Sequence, residues 1–305
     1  MVKAISMGRR HLLGGAVASA AALVGRPASA APVRRLGEGL RIEAVQMPAW
    51  LDRDGRRHPL AAGDLVSAPQ VIETGVGAAL VMGLPEGSQV NLGEKSRLSV
   101  ASLAQDRAEG IVAVRADLRL FEGFFRFATS AVSRVTGRRA VSLTLRTTTV
   151  GVRGTDFWSM TDAQHDAVCL FEGQVALDTR DQGSLSLDLP GAFWTRVFDR
   201  AVQPVGVATP EQLAGFIASS ALKAGQGIAV AGGAWQVRLT RTSDSRAAMN
   251  LAGTVRAVGY PATLHSAGSV HEVRIAQLAT RADAQALLGS LRAFAGEDAG
   301  VMVGL

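Results

Sequence analysis

Between about Leu40 and Pro190 apolar residues recur at every second position in short runs, and Gly, Asp, Asn or Ser interrupts each run. A period of two matches strands with one buried face, and runs this short cannot carry a helical stripe. Ala78-Leu80-Met82, Val90-Leu92, Leu98-Val100, Leu118-Leu120, Val141-Leu143-Leu145 and Val168-Leu170 show the pattern, with turn strings such as Pro85-Glu86-Gly87, Glu122-Gly123 and Glu172-Gly173 between runs. The segment is expected to form many short strands in a sandwich, roll or barrel. A weak helical patch is expected at Ala101–Glu109.

The rest of the 305-residue chain follows other rules. Its first ten residues are basic, with Lys3, and end in Gly8-Arg9-Arg10. Leu12 to Val24 is then an uncharged apolar run, closed by Ala28-Ser29-Ala30. Those thirteen residues fall short of the ~20 that a spanning helix needs. A basic start, a short apolar run and an Ala-x-Ala end are the parts of a signal peptide over residues 1–30. The Arg9-Arg10 pair resembles a twin-arginine export signal, which implies cleavage after Ala30 and a periplasmic location. This segment holds Lys3, Arg9, Arg10 and Arg26 and no acid, so it supplies four of the six net positive charges. The remaining +2 is too small for a nucleic-acid footprint.

From Ala192 the period changes. Thr209-Pro210-Glu211-Gln212 starts a helix expected to reach about Lys223, and Ala231-Gly232-Gly233-Ala234 is a small-residue joint, so residues 191–231 are expected to be a helix-containing linker. Beyond it, strand and helix patterns alternate: Trp235–Leu239, a helix from Asp244 to Val258, extended chain at Pro261–Leu264, a strand at His271–Ile275, a helix from Thr280 to Phe294, and Val301–Val303. The order is βαββαβ, and the whole chain is expected to be α+β. Alternation turns Val237, Leu239, Val273 and Ile275 toward the two helices. Gln236, Arg238, Thr240, Glu272 and Arg274 then share the sheet face that no helix covers. RNA-binding domains use the same order but place stacking aromatics on that face, and none stands at its centre here.

Candidate chemistry elsewhere is thin. The lone cysteine, Cys169, can form neither an internal disulfide nor a cysteine-based metal site and reads as an inert core thiol. Ser220-Ala221-Leu222-Lys223 has the Ser-x-x-Lys spacing of acyl enzymes, but no Ser-Asp-Asn accompanies it. Asp162, His165 and Asp166 read as a polar hairpin loop rather than metal ligands, and His265 and His271 as cover for a sheet edge. Gly75-Val76-Gly77 lacks the third glycine of a dinucleotide loop. No catalytic residue, metal or cofactor is expected.

Two resemblances organise these readings. Val150-Gly151-Val152-Arg153-Gly154-Thr155-Asp156-Phe157, with Pro59–Asp64, Thr74–Leu80, Leu84–Ser88 and Leu170–Val175 around it, resembles the FecR-type domain over about residues 60–190. Gly151 and Gly154 bracket Arg153 where the backbone must bend or approach another strand, and Arg153 and Asp156 are expected to stabilise that corner. Residues 31–190 are therefore taken as a FecR-like β-rich domain. Residues 232–305 resemble the SPOR domain on Trp235–Leu239, Ala248, Leu251, Val258-Gly259-Tyr260-Pro261-Ala262, Val273–Ile275 and Thr280–Ala284, with departures at Arg238, Thr242, Glu272, Ala276 and Gln277.

The SPOR resemblance implies binding of peptidoglycan glycan strands lacking stem peptides, and so enrichment at division sites. Long amide and guanidinium groups of the uncovered face suit sugar hydroxyls and lactyl carboxylates. FecR-type domains often belong to membrane anti-sigma regulators with a cytoplasmic helical domain, for which the short basic segment before the apolar run leaves no room. The expectation is a non-enzymatic exported wall-binding protein, its FecR-like half holding a periplasmic partner or sensing a signal. The rival is a periplasmic signalling protein with a degenerate SPOR-like adaptor.

Overall fold

The computed structural model describes residues 39–108, 111–129 and 138–304. The export-signal reading of residues 1–30 lies outside the described residues.

The alternating segment folds into two sheets that exchange strands. The first is built outward from β1 (Leu40–Gln46), which pairs with β4 (Leu65–Val66) and β6 (Ala79–Gly83). It continues through β7 (Gln89–Leu92), the late half of β9 (Ile111–Ala128), β11 (Thr148–Thr161), β12 (His165–Thr179), β14 (Ala192–Val197) and β15 (Gly206–Val207). The second runs β3 (Arg56–Pro59), β2 (Ala49–Arg53), β5 (Gln70–Thr74), β8 (Arg97–Ala108), the early half of β9, β10 (Arg138–Thr144), then the other halves of β11 and β12, and β13 (Gly183–Leu187). Of the three architectures the pattern allowed, this is a sandwich with shared bent strands. Ile42, Met82, Phe125 and Phe157 of one sheet share a continuous core with Ile72, Val100, Leu118 and Val150 of the other.

Glycines make the crossings possible. In β9 the bend falls at Gly123, at φ +96°, where a Cβ would come within 2.4 Å of the Ser96 backbone. In β11 and β12 the ladder shifts register between Arg153 and Phe157. Gly154 and Gly173 take φ +65° and +85° there, and a Cβ on Gly173 would lie 2.8 Å from the Gly154 carbonyl. No other residue fits a positive φ at such a close approach.

The helical patch expected at Ala101–Glu109 is a correction. β8 runs extended to Ala108, paired with β9 from Arg97↔Glu122 to Ala108↔Ile111, and this long-range ladder overrides a weak local preference. Glu109 lies outside the described residues. Segment 191–231, read as a linker, supplies β14, β15, helix α1 (Pro210–Ser219) and β16 (Ile228–Val230). Thr209 caps α1 in a reciprocal capping box with Gln212. The helix stops at Ser219, short of Lys223, whose backbone N–H instead donates to Gln46 Oε1. α1 covers the outer face of the first sheet, where Phe216 stacks on Trp158 at 4.1 Å and the indole N–H donates to Ser219 Oγ.

The C-terminal part has the expected βαββαβ order: β17 (Trp235–Thr242), α2 (Ser245–Ala257), β18 (Thr263–Ala267), β19 (Val270–Leu278), α3 (Arg281–Ser290) and β20 (Gly300–Val303). Its sheet is ordered β18-β19-β17-β20. Asp244 and Thr280 cap the helices, and the last turn before Gly296 is a separate 3₁₀ segment, Arg292–Phe294.

The two parts are joined by more than chain connectivity. β16 pairs with β1 and meets β19 at Ala229↔Leu278. The buried Asp283 carboxylate accepts from the backbone N–H groups of Gly227 and Ile228. Trp50 lies across Gly259, at φ +91°, where a Cβ would come 2.6 Å from the indole. The core cluster runs through both parts, and the described residues form one compact unit. Among them no helix is long and apolar enough to cross a membrane.

Candidate functional site

Val237, Leu239, Val273 and Ile275 are fully buried against Ala248, Ala252, Val255, Ala284, Leu287 and Leu291. Burial of these side chains fixes which face of the C-terminal sheet carries polar groups. Two ladder irregularities then shape that face. The register between β17 and β19 slips at Trp235/Val237 and again at Arg238/Thr240. The second slip gives β17 one extra residue, so Arg238 and Arg241, three apart, point to the same place.

That place is Glu272. Arg238 Nη1 lies 3.4 Å and Arg241 Nε 3.6 Å from its Oε1, and Arg274 Nε donates to its Oε2 at 2.7 Å. Glu272 is only 9% exposed. The hydrogen bond from Arg274 holds its carboxyl below the usual glutamate range, and the charges of Arg274, Arg238 and Arg241 add to this against the cost of desolvation. Three guanidiniums share one carboxylate, leaving a local surplus of two positive charges. Arg238 also donates to the Asp298 carbonyl through Nε and Nη2, which fixes its plane.

Arg241, His265, Ser266, Val270, Glu272 and Arg274 line a cleft of about 370 Å³ beside the β18–β19 hairpin. His265 stands opposite Glu272 in the ladder, and its Nε2 is 2.9 Å from Thr263 Oγ1. His271 Nδ1 is 2.8 Å from Ser266 Oγ, so both histidines are tied to the hairpin. Cationic forks, hydroxyls and an imidazole around an open cleft can bind a hydroxylated ligand carrying carboxylates.

Of the five residues expected on this face, Arg238, Glu272 and Arg274 come together. Gln236 is 5% exposed and its amide donates to the Val303 carbonyl, closing the sheet edge. Thr240 stands opposite Val273, just past the extra residue of β17, and lies beside Gly296. Strict alternation misses Arg241, because a slip in register leaves no mark in an apolar–polar pattern. His265 was legible as a residue of this hairpin, but not as a neighbour of Arg241.

In the β-rich part, Asp156 accepts a two-pronged bond from Arg126, at 2.9 and 2.7 Å, across the bend at Gly154. Asp156 therefore ties β11 to β9 where the strands cross. Arg153 pairs with Gln174 along the backbone ladder, and its side chain lies outside the described set. Gly151 is not forced: a Cβ there would sit 3.8 Å from its nearest neighbour.

The other candidates resolve structurally. Asp162 accepts from the backbone N–H of Gln164 and His165, while Asp166 turns inward to Thr147 and Thr161. No metal-holding cluster occurs among the described residues. Ser220 follows the end of α1, so Lys223 does not stand one helical turn beyond it. Cys169 is buried among aromatics under α1, and desolvation pushes its thiol up to about 12.

No curated protein matches the chain. Two solved structures, each described as a candidate anti-sigma factor from Parabacteroides distasonis, resemble it distantly. One is 16% identical with a TM-score of 0.36, over 48% of this chain and 64% of its own length. The other is 13% identical with a TM-score of 0.38, over 77% and 97%. Two family models match the chain: residues 70–176 match FecR protein and residues 231–302 match the SPOR domain. The chain carries a FecR domain followed by a C-terminal SPOR domain.

Proposed function

We propose that this is a non-enzymatic, exported peptidoglycan-binding protein whose SPOR sheet face holds glycan strands. The observation that carries the reading is the set of three arginines converging on Glu272 at the rim of an open cleft, with two charges to spare. Glycan strands stripped of stem peptides expose lactyl carboxylates between hydroxyl-rich sugars, and planar guanidinium forks suit both. Such strands accumulate where amidases act, so the reading would have the protein enriched at division sites. Residues 1–30 would direct it to the periplasm by a twin-arginine-like signal cut after Ala30, and the FecR domain would hold a partner or sense a signal there. A periplasmic signalling role with the SPOR domain as adaptor is the second reading. The continuous core between the two domains favours it, because an event on one would be felt by the other.

Co-sedimentation tests the first reading. The purified protein is expected to pellet more strongly with amidase-stripped sacculi than with intact ones, and Arg241→Ala with Arg274→Ala should reduce pelleting about tenfold or more. No pelleting with either preparation would remove wall binding and leave the signalling reading.

A further inference from the structure

A second cleft, of about 330 Å³, opens on the FecR domain well away from the SPOR face in sequence. On the outer side of the second sheet, Arg119, Thr144, Thr149 and Asp178 fall in one cross-strand row over β9, β10, β11 and β12. The β10–β11 turn adds Arg146, and the residue after β12 adds Arg180. The turn is fixed from beneath. The buried Asp166 carboxylate accepts from Thr147 N, Thr147 Oγ1 and Thr161 Oγ1, each at 2.6 Å, and Arg180 N donates to the Thr147 carbonyl.

Two of the guanidiniums are oriented without being neutralised. Arg146 lies over Phe198 at 5.4 Å and Arg119 over Phe121 at 5.1 Å. Ring stacking sets the plane of a guanidinium but leaves its N–H edges unused. Among the described residues neither these two nor Arg180 makes an ion pair, whereas Arg57, Arg97, Arg126, Arg196, Arg238, Arg241 and Arg274 all do. With Asp178 in the same lining, the three arginines leave a surplus of two positive charges around the cleft, which an anion would meet. The row also holds what a simple anion would not need. Thr144 and Thr149 offer hydroxyls, and Asp178, an acceptor only, suits an O–H donor.

We infer that this cleft binds an acidic saccharide, with Arg119, Arg146 and Arg180 on its phosphate or carboxylate group and Thr149 and Asp178 on its hydroxyls. The inference concerns the FecR domain and stands whether or not the SPOR face binds glycan. The test is titration of the full-length protein with glucose 1-phosphate, trigalacturonate, inorganic phosphate and glucose, followed by amide NMR shifts. At least one acidic sugar should give saturable shifts and bind more tightly than phosphate or glucose. Binding by glucose 1-phosphate alone selects phosphate as the anion; binding by trigalacturonate alone selects carboxylate. Arg119→Gln or Arg180→Gln should each weaken binding about tenfold, and Asp178→Asn should weaken the acidic sugar but not inorganic phosphate. Arg241→Ala with Arg274→Ala, on the SPOR face, should leave the shifts of Arg146, Thr149 and Arg180 unchanged, which separates this cleft from that face. Arg119, Asp178, Arg180 and Arg241 are exposed and Arg274 is half-buried, so circular dichroism is used to check that each variant keeps its fold. Absence of saturable shifts with either acidic sugar, or shifts unmoved by both arginine substitutions, would overturn the inference.

Discussion

The two arginine clusters of this protein differ in one respect, the provision of a counter-ion. On the SPOR face Arg238, Arg241 and Arg274 share Glu272, itself almost out of solvent. Among the described residues Arg119, Arg146 and Arg180 of the FecR cleft make no ion pair, and neither does the nearby Asp178. The first cluster is part of the fold and its arginines are held in place by a group that is always there. The second is held by stacking and by a turn, and its charge is left for something else to meet. Equal numbers of arginines therefore need not mean equal contributions to stability.

Removing the acid from each cluster should separate them most. Glu272→Gln leaves the half-buried guanidiniums of Arg238 and Arg274, and the exposed one of Arg241, without a shared counter-ion. Exposed pairs are worth at most ~1 kcal/mol, while breaking a fully buried one costs ~3–5 kcal/mol; this partly exposed cluster should lose about 2 kcal/mol. Asp178→Asn, which breaks no pair, should stay within about 0.5 kcal/mol of the parent. Urea denaturation of the two variants checks the contrast, and equal losses would break it.

The acid limb of stability gives a finer measure. Glu272 is held below the ordinary glutamate value of 4.5, chiefly by the hydrogen bond from Arg274. With its folded value the lower one, the unfolded chain takes up its proton first as pH falls. Its contribution is thus complete above the ordinary value and is lost as pH drops below 4.5 through the folded value. Unfolding free energies measured from pH 6 to pH 3 should fall less steeply in Glu272→Gln than in the parent. Parallel curves for the two would show that Glu272 carries no special share.

The sequence told these regions apart only in outline. The period of two, the capping residues Thr209, Asp244 and Thr280, and the βαββαβ order were legible because each is a local signal that the structure uses locally. The strand exchange between sheets was half legible: the motif around Gly154 marked a corner, but its partner Gly173 stands on another strand, and only the ladder places the two together. The SPOR face was legible by alternation up to its irregularities. Gln277 adopts φ +64° beside the first slip, where a glycine would have signalled a bulge, and the second slip carried Arg241 onto the face unseen. The arginine cleft was not legible at all. Its residues come from β9, the β10–β11 turn and the end of β12, and β9 pairs with β10 in parallel, a contact that no hairpin in the sequence announces.

The smallest expected difference lies in the response to salt. Self-repulsion among Arg119, Arg146 and Arg180 acts through solvent, so it is strongest at low ionic strength and fades as the Debye length shrinks from ~30 Å at 0.01 M to ~3 Å at 1 M. Removing one charge by Arg180→Gln should therefore stabilise the folded protein slightly, by up to about 0.5 kcal/mol at 0.01 M salt, and the gain should vanish by 1 M. On the SPOR face the sign is reversed. Arg274→Gln removes the donor closest to Glu272 and should destabilise at every salt concentration, because a partly buried pair is screened less than an exposed one. Thermal melts of both variants at low and high salt read the two signs directly. A destabilised Arg180→Gln at low salt would mean that its charge is already matched within the fold, and the two clusters would then differ in place but not in kind.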